Sequence, residues 1–213
     1  MGQPLILRHT YTRSRDTARA GLRYYQMRPR GEDESPRSIF GADGTMTRAE
    51  AYRLLDAHQV GDGVGGQGRG YLAHRLMLSP PADRRPDDLR ALTRHVMAEL
   101  ARDRRQALHW VAVEHRNTAH PHVHIVLCGG GERDGTVREV RLDRGDHARI
   151  KEDGLDYCRL VARVRDDWDR ALDRAAGTPA AREHVATGRS GAVDGRAGRA
   201  DDFERGLGGG CGR

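Results

Sequence analysis

Residues 108–128 read LHWVAVEHRNTAHPHVHIVLC. The first part, Leu108–Glu114, and the last, His122–Cys128, are rich in β-branched and aromatic residues and bounded by turn formers, which predicts two strands. The connection between them, Arg116–Pro121, is short enough to fold the chain straight back, so the pair should be antiparallel. In a strand, alternate side chains share a face. His122 and His124 therefore project together, while Val123, Ile125 and Leu127 take the opposite, core face. His115 ends the first strand and comes to lie beside His122. Three imidazoles meet on one surface, and neutral imidazole is a good ligand for divalent zinc, manganese, cobalt or nickel. Three protein ligands leave positions open for water or a phosphate oxygen. His120 falls in the turn because of Pro121. His109 shares the face of His115 but lies too far along the strand to join.

Outward from this pair the elements follow from periodicity and punctuation. A strand is expected over Leu5–Tyr11 and a helix over Arg15–Met27, with Ser14 placed to cap it. Thr47 and Glu50 form a capping box ahead of Ala51, Leu54 and Leu55. Leu72–Ser79 alternates as a strand. Pro86–Asp103 is amphipathic with Leu89, Leu92, Val96 and Leu100 as its stripe. Asp134-Gly135 starts a turn into Val137–Leu142. A last helix over Leu155–Ala175 carries Tyr157, Val161, Val164, Trp168 and Leu172. Three consecutive strands near the centre imply an α+β fold, a central antiparallel sheet with helices mainly on one face.

The chain has 213 residues and a formal charge of +6, from 37 Lys+Arg against 31 Asp+Glu. Its only lysine is Lys151, so the positive charge is nearly all arginine, whose planar fork can bond two phosphate oxygens at once. That balance permits a polyanionic partner. No apolar run reaches the length of a membrane span. The N-terminus lacks the basic and apolar regions of a signal peptide. Cys128, Cys158 and Cys211 are odd in number and far apart, fitting neither a disulfide framework nor a zinc pair, so a cytoplasmic location is expected. Ten of the 37 residues of 177–213 are glycine. This stretch is expected to be a disordered tail behind a folded domain over 1–176. Gly61–Gly70 reads as a loose loop and 29–44 as polar and turn-rich. His9, His58, His74, His95, His147 and His184 read as structural or surface residues.

The string HPHVHIVL resembles two families. One is the histidine-triad nucleotide hydrolases and transferases, in which the middle histidine, here His122, is the nucleophile and no metal is needed. The other is the HUH endonucleases, specifically the relaxases of mobilisable plasmids and conjugative elements, whose third motif resembles H-x-(D/E/N)-x-x-x-P-H-x-H. His115, Asn117, Pro121, His122 and His124 meet every spacing of it. The surroundings are similar to the Mob/Vir-type branch: RLMLSP, the DDLRALTRHVMAEL helix, and LRYYQMR, which resembles that branch's nucleophile motif on an N-terminal helix. The resemblance spans roughly residues 5–142 and favours the relaxase over the histidine-triad enzyme.

Such a resemblance implies an HUH, ferredoxin-like palm. It implies a metal-dependent, site-specific DNA strand cleavage in which a tyrosine oxygen attacks phosphorus, leaving a 5′-phosphotyrosine and a free 3′-OH. It also implies a divalent ion, Mn or Mg first and Zn, Co or Ni as alternatives, on His115, His122 and His124, with Asn117 and His120 behind them. Single-stranded or supercoiled DNA at an origin of transfer would be the partner, with accessory DNA-binding or coupling proteins. A rolling-circle replication initiator or a single-tyrosine transposase would share this chemistry. A non-catalytic nucleic-acid-binding module remains a further alternative. A chain of this length without a helicase or primase region is expected to be an isolated nuclease domain or a minimal protein.

The candidate nucleophiles are Tyr24 and Tyr25. Ala18, Leu22 and Tyr25 are spaced to continue one apolar stripe, and Tyr24 sits about 100° away around the axis. Tyr25 is thus the better packing residue and Tyr24 the better nucleophile. Many relaxases place an acid where this chain has Asn117, so the general base is open; Glu114 alternates away from His115. Arg8, Arg13, Arg15, Arg19, Arg23 and Arg28 flank the tyrosines and Arg75 lies on a strand. Of these, Arg19, Arg23, Arg28 and Arg75 are the candidate DNA contacts.

Overall fold

A computed structural model describes residues 3–28, 35–60, 73–116 and 118–176. The expected loop over Gly61–Gly70, the tail over 177–213 and Asn117 lie outside the described residues. The chain divides into two compact units, Met1–Asp167 and Trp168–Arg213. Of the second, only Trp168–Ala176 is described, as helix.

The strands are β1 (Ile6–Thr12), β2 (Ile39–Phe40), β3 (Thr45–Met46), β4 (Ala73–Ser79), β5 (Ala107–His115), β6 (His122–Arg133) and β7 (Thr136–Glu139); the helices are α1 (Arg15–Met27), α2 (Arg48–Ala57), α3 (Leu89–Arg104) and α4 (Arg144–Ala176). The strands form one sheet in the order β1-β4-β6-β5-β2-β3, with β7 also on β6, and every pairing is antiparallel. The α+β class and the antiparallel sheet match the expectation.

The helices, expected mainly on one face, divide between both. Alternation along the central strands explains this. Val111, Val113, Val126 and Cys128 pack with Ala18 and Leu22 of α1 and Ala51 and Leu55 of α2. Their neighbours Ala112, Val123, Ile125 and Leu127 pack with Leu89, Leu92, Val96 and Leu100 of α3 and Ile150 and Cys158 of α4. Both faces of β5 and β6 are apolar through their middle, so both attract a helix.

Local signals set the helix starts. Ser14 accepts from the Thr17 amide. The Thr47–Glu50 box closes reciprocally, with Thr47 N–H on Glu50 Oε2 at 2.7 Å and Glu50 N–H on Thr47 Oγ1 at 3.2 Å. α3 starts at Leu89 rather than Pro86 because Asp88 caps it, accepting from the Arg90 and Ala91 amides. α4 begins at Arg144 instead of Leu155. Asp143 and Asp146 cap each other's backbone, both at 2.9 Å, and this outweighs the low helix propensity of Gly145 and Gly154. Gly154 is also where α4 meets β1's end, since a Cβ there would lie 2.5 Å from Leu5 Cδ1. The buried face of α4 is accordingly Ile150, Gly154 and Cys158, and Val164 of the expected stripe is exposed. The β6–β7 turn uses positive φ at Asp134 (52°) and Gly135 (69°), the backbone suited to a two-residue hairpin loop.

On the α3–α4 face, three histidines expected to be unremarkable form a line. His74 Nε2 lies 2.8 Å from the Val140 carbonyl, His9 Nε2 2.9 Å from His74 Nδ1, and His147 Nε2 2.9 Å from His9 Nδ1. A carbonyl only accepts, so each Nε2–H must donate in the same direction along the line. Burial, with His74 and His147 adding to it, pushes His9 down to about 4; burial also lowers His74 despite the Val140 bond. In the unfolded chain these rings take up protons near 6.5, so the fold holds its full stability above that pH and loses it as pH falls toward 4. In chelator, the midpoint of thermal unfolding should drop by about 5 °C or more between about pH 7 and about pH 4.5. A flat midpoint across that range would contradict the lowered pKa values of His9 and His74.

Candidate metal centre and nucleophile helix

The end of the β5–β6 pair carries the site. His115 stands directly opposite His122 in the register, and His124 opposite Val113, so the three rings share the α1–α2 face. Their centroids form a near-equilateral triangle, 5.1 Å from His115 to His122, 4.8 Å from His115 to His124 and 4.9 Å from His122 to His124. One ligand atom from each lies within 4.8 Å of the others.

Hydrogen bonds assign the free nitrogens. His115 Nε2 donates to the Tyr25 carbonyl at 2.8 Å, which leaves its buried Nδ1 without a partner among the described residues. His122 Nδ1 donates to the His120 carbonyl at 2.8 Å, leaving Nε2 with its lone pair. That atom lies 3.2 Å from His124 Nε2. A buried, unpartnered ring nitrogen is costly, and two facing Nε2 atoms repel unless one is protonated or both share a cation. The donor set therefore fits a divalent ion, with each far nitrogen or backbone carbonyl fixing a tautomer as in known imidazole–metal sites. Burial pushes His115 down to about 4, opposed by the Tyr25 carbonyl and reinforced by Arg37, His122 and Arg28. Burial likewise pushes His124 to about 3, reinforced by His115, His122, Arg28 and Arg37. Both rings are thus neutral near pH 7, the form that binds a metal.

Helix α1 lies over this triangle. Tyr25 stacks on His124 with centroids 3.9 Å apart and planes at 4°. Burial raises its phenol pKa, and the Arg75 guanidinium donating to the hydroxyl works against this. Tyr24, at 59 % exposure, reaches outward, its ring 6.0 Å from that of Tyr25. Beside them a cavity of about 200 Å³ is lined by Arg8, Tyr25, Arg75, Met77 and His124 among others.

The remaining expected site residues divide. His120 is exposed and contributes its carbonyl, not its ring. Arg23 and Arg28 are exposed. Arg19 is engaged inside the fold, paired with Asp56 and lying over the Tyr52 ring. Glu114 is tied to Arg116 and Arg90 and faces away from the triad. Arg37 was not foreseen. It is buried and anchored on the Arg28 carbonyl, and its charge reaches both His115 and His124. The polar stretch 29–44 hid it, and the apolar pair Ile39-Phe40 just after it was the available sign of a sheet edge there.

A family model described as the nuclease domain of MobA/VirD2-like relaxases matches residues 43–151, a span that includes all three histidines but neither tyrosine. Similar solved structures include the MobM relaxase domain bound to plasmid pMV158 oriT DNA with manganese: 13% identity, TM-score 0.47, covering 73% of this chain and 86% of that one. The conjugative relaxase TrwC in complex with oriT DNA is similar in its metal-free form, at 15% identity and TM-score 0.45 over 73% of this chain and 69% of that one. Its copper-bound form matches at 17% identity and TM-score 0.42 over 73% and 70%. No curated protein matches the chain in sequence. The chain belongs to the MobA/VirD2-like relaxase family and carries its nuclease domain. No helix among the described residues is long and apolar enough to cross a membrane.

Proposed function

We propose that this chain nicks one DNA strand at an origin of transfer by attack of Tyr24, and later rejoins it. The observation that carries this reading is the convergence of three imidazoles, two of them held neutral by burial, directly beneath the tyrosine-bearing helix. A divalent ion held on His115 Nδ1, His122 Nε2 and His124 Nε2 would polarise the non-bridging oxygens of the scissile phosphate.

The chain's own groups do the rest. Arg8 and Arg75 line the cavity beside His124. The charges of Arg28 and Arg37 favour an anion at the triad. The Tyr24 oxygen forms a bond to phosphorus as the bond to the 3′ oxygen breaks, giving a 5′-phosphotyrosine and a free 3′-OH. Its exposure lets water take the phenolic proton. Tyr25, stacked and with a raised pKa, holds the helix against His124. Family membership weighs against the histidine-triad hydrolase, and that enzyme has no use for a cation-ready triangle.

The test is an adduct assay: a single-stranded or supercoiled origin fragment with Mn²⁺ should become covalently attached to the protein, and the linked residue should map to Tyr24. Salt-sensitive binding with no adduct under any divalent ion would instead indicate a non-catalytic binding module. The arginines make a separate prediction. Phosphate contacts supply affinity and salt dependence without reading sequence. Arg75→Ala should weaken binding to origin and scrambled single strands alike, and reduce the slope of log affinity against log salt by about 0.7. A loss confined to the origin strand would assign Arg75 to base reading.

A further inference from the structure

Far along β5 from the triad, His109 forms a second cluster. Six residues separate it from His115, about 20 Å along a strand. His109 sits where the β5–β6 register shifts, between Leu108 and Trp110. Its ring stacks face to face with that of His58 at 3.4 Å and 10°. Its Nε2 is buried and has no hydrogen-bond partner among the described residues. The nearest anion is Glu132 Oε1 at 3.8 Å, too far for a hydrogen bond. Ligand atoms of His58, His109 and Glu132 all lie within 4.8 Å of one another.

The geometry points to a second divalent-metal site on His58, His109 and Glu132, separate from the nuclease centre. Two imidazoles and a carboxylate form a three-ligand set suited to a borderline ion such as Zn²⁺ rather than Mg²⁺. An ion here satisfies the buried His109 nitrogen, which nothing else among the described residues does, and burial, with the neighbouring His58, lowers the pKa of that ring, which favours the form that binds a metal. The site asks for small movements. Ligand atoms about 2.0–2.1 Å from zinc must draw closer than 3.8 Å, and His58 must turn out of the stack so that its lone pair points at the ion. Both partners can move: Glu132 is 52 % exposed, and His58 is the C-cap of α2, its backbone pinned by the Gly130 N–H at 2.9 Å. The site joins three elements, the end of α2, the irregular point of β5 and β6 where it pairs with β7, so a bound ion clamps α2 to the sheet. His109 also lines a cavity of about 250 Å³ with Asp43, Leu54 and Trp110 among others, which gives the site an approach from solvent.

The test is metal stoichiometry. Full-length protein is stripped with chelator, loaded with Zn²⁺, desalted and measured for bound zinc. The wild type should hold two ions and His122→Ala/His124→Ala one. Adding Glu132→Gln or His109→Ala to that double variant should remove the remaining ion. Zinc should raise the unfolding midpoint of the double variant, and Glu132→Gln should abolish that rise. If the double variant does not fold, Glu132→Gln alone decides, because an exposed residue can be exchanged without loss of folding. That variant should drop from two ions to one, with at least a tenfold loss of affinity for the second, while adduct formation stays unchanged. No zinc on the double variant, or an ion that survives both Glu132→Gln and His109→Ala, would overturn the site. The adduct readout is separate, so failure here leaves the nicking reading standing and the reverse also holds.

Discussion

Tyr24→Phe protein, mixed with an origin strand and Mn²⁺, should form no covalent adduct. The loss should be at least about a thousandfold relative to wild type, because the attacking oxygen is gone and no neighbouring group replaces it. Tyr25→Phe should still form the adduct, since that ring acts by stacking on His124 and phenylalanine keeps the stack. The pair of variants separates the two tyrosines, which stand one residue apart on α1. An adduct that survives Tyr24→Phe and disappears in Tyr25→Phe would transfer the nucleophile's role to Tyr25, with Arg75 as the group that lowers its pKa. Binding of the same strand should be unchanged in Tyr24→Phe, so loss of affinity would point to misfolding instead.

The second large effect is at the triad. His122→Ala should weaken Mn²⁺ binding there by more than about 100-fold and reduce cleavage in proportion at limiting metal, since two imidazoles remain where three converged. His122 is half-buried at the sheet's end, so the fold should survive the change. His115→Ala removes the same kind of ligand but is fully buried and bonded to the Tyr25 carbonyl, so it should also lower stability. Isothermal titration with Mn²⁺, alongside thermal unfolding in chelator, distinguishes these outcomes. If His122→Ala binds Mn²⁺ as tightly as wild type, the triangle is not the nuclease metal site.

Much of this was legible in the residues. The alternation of His122 and His124 with Val123 and Ile125, and the short turn back to His115, define the triangle before any coordinates, because strand periodicity leaves a side chain only two choices of face. The helix caps at Ser14 and Thr47 were readable for the same reason, being local hydrogen bonds between near neighbours. What escaped was non-local or masked. β2 and β3 are two residues each and exist through pairing with β5 and each other, not through any pattern of their own. The start of α4 lay behind two glycines, and its Asp143–Asp146 box uses an acid in place of the usual Ser or Thr. The two-faced distribution of helices required knowing that β5 and β6 are central. Arg37 reaches His115 and His124, and His58 reaches His109, only through tertiary folding across 50 or more residues, and nothing in a linear reading brings those pairs together.

One bond gives the nuclease centre a thermodynamic property of its own. The ring of His115 leaves Nδ1 for the candidate ion site and donates its single N–H, on Nε2, to the Tyr25 carbonyl. A cation that draws electron density from that ring makes the proton a better donor, and so fastens the helix bearing the attacking phenol. By reciprocity, a DNA strand that seats this helix tightens the hold on the cation by the same factor. On the proposed reading, DNA and ion would be cooperative ligands, and amide exchange along residues 15–27 should slow when either arrives.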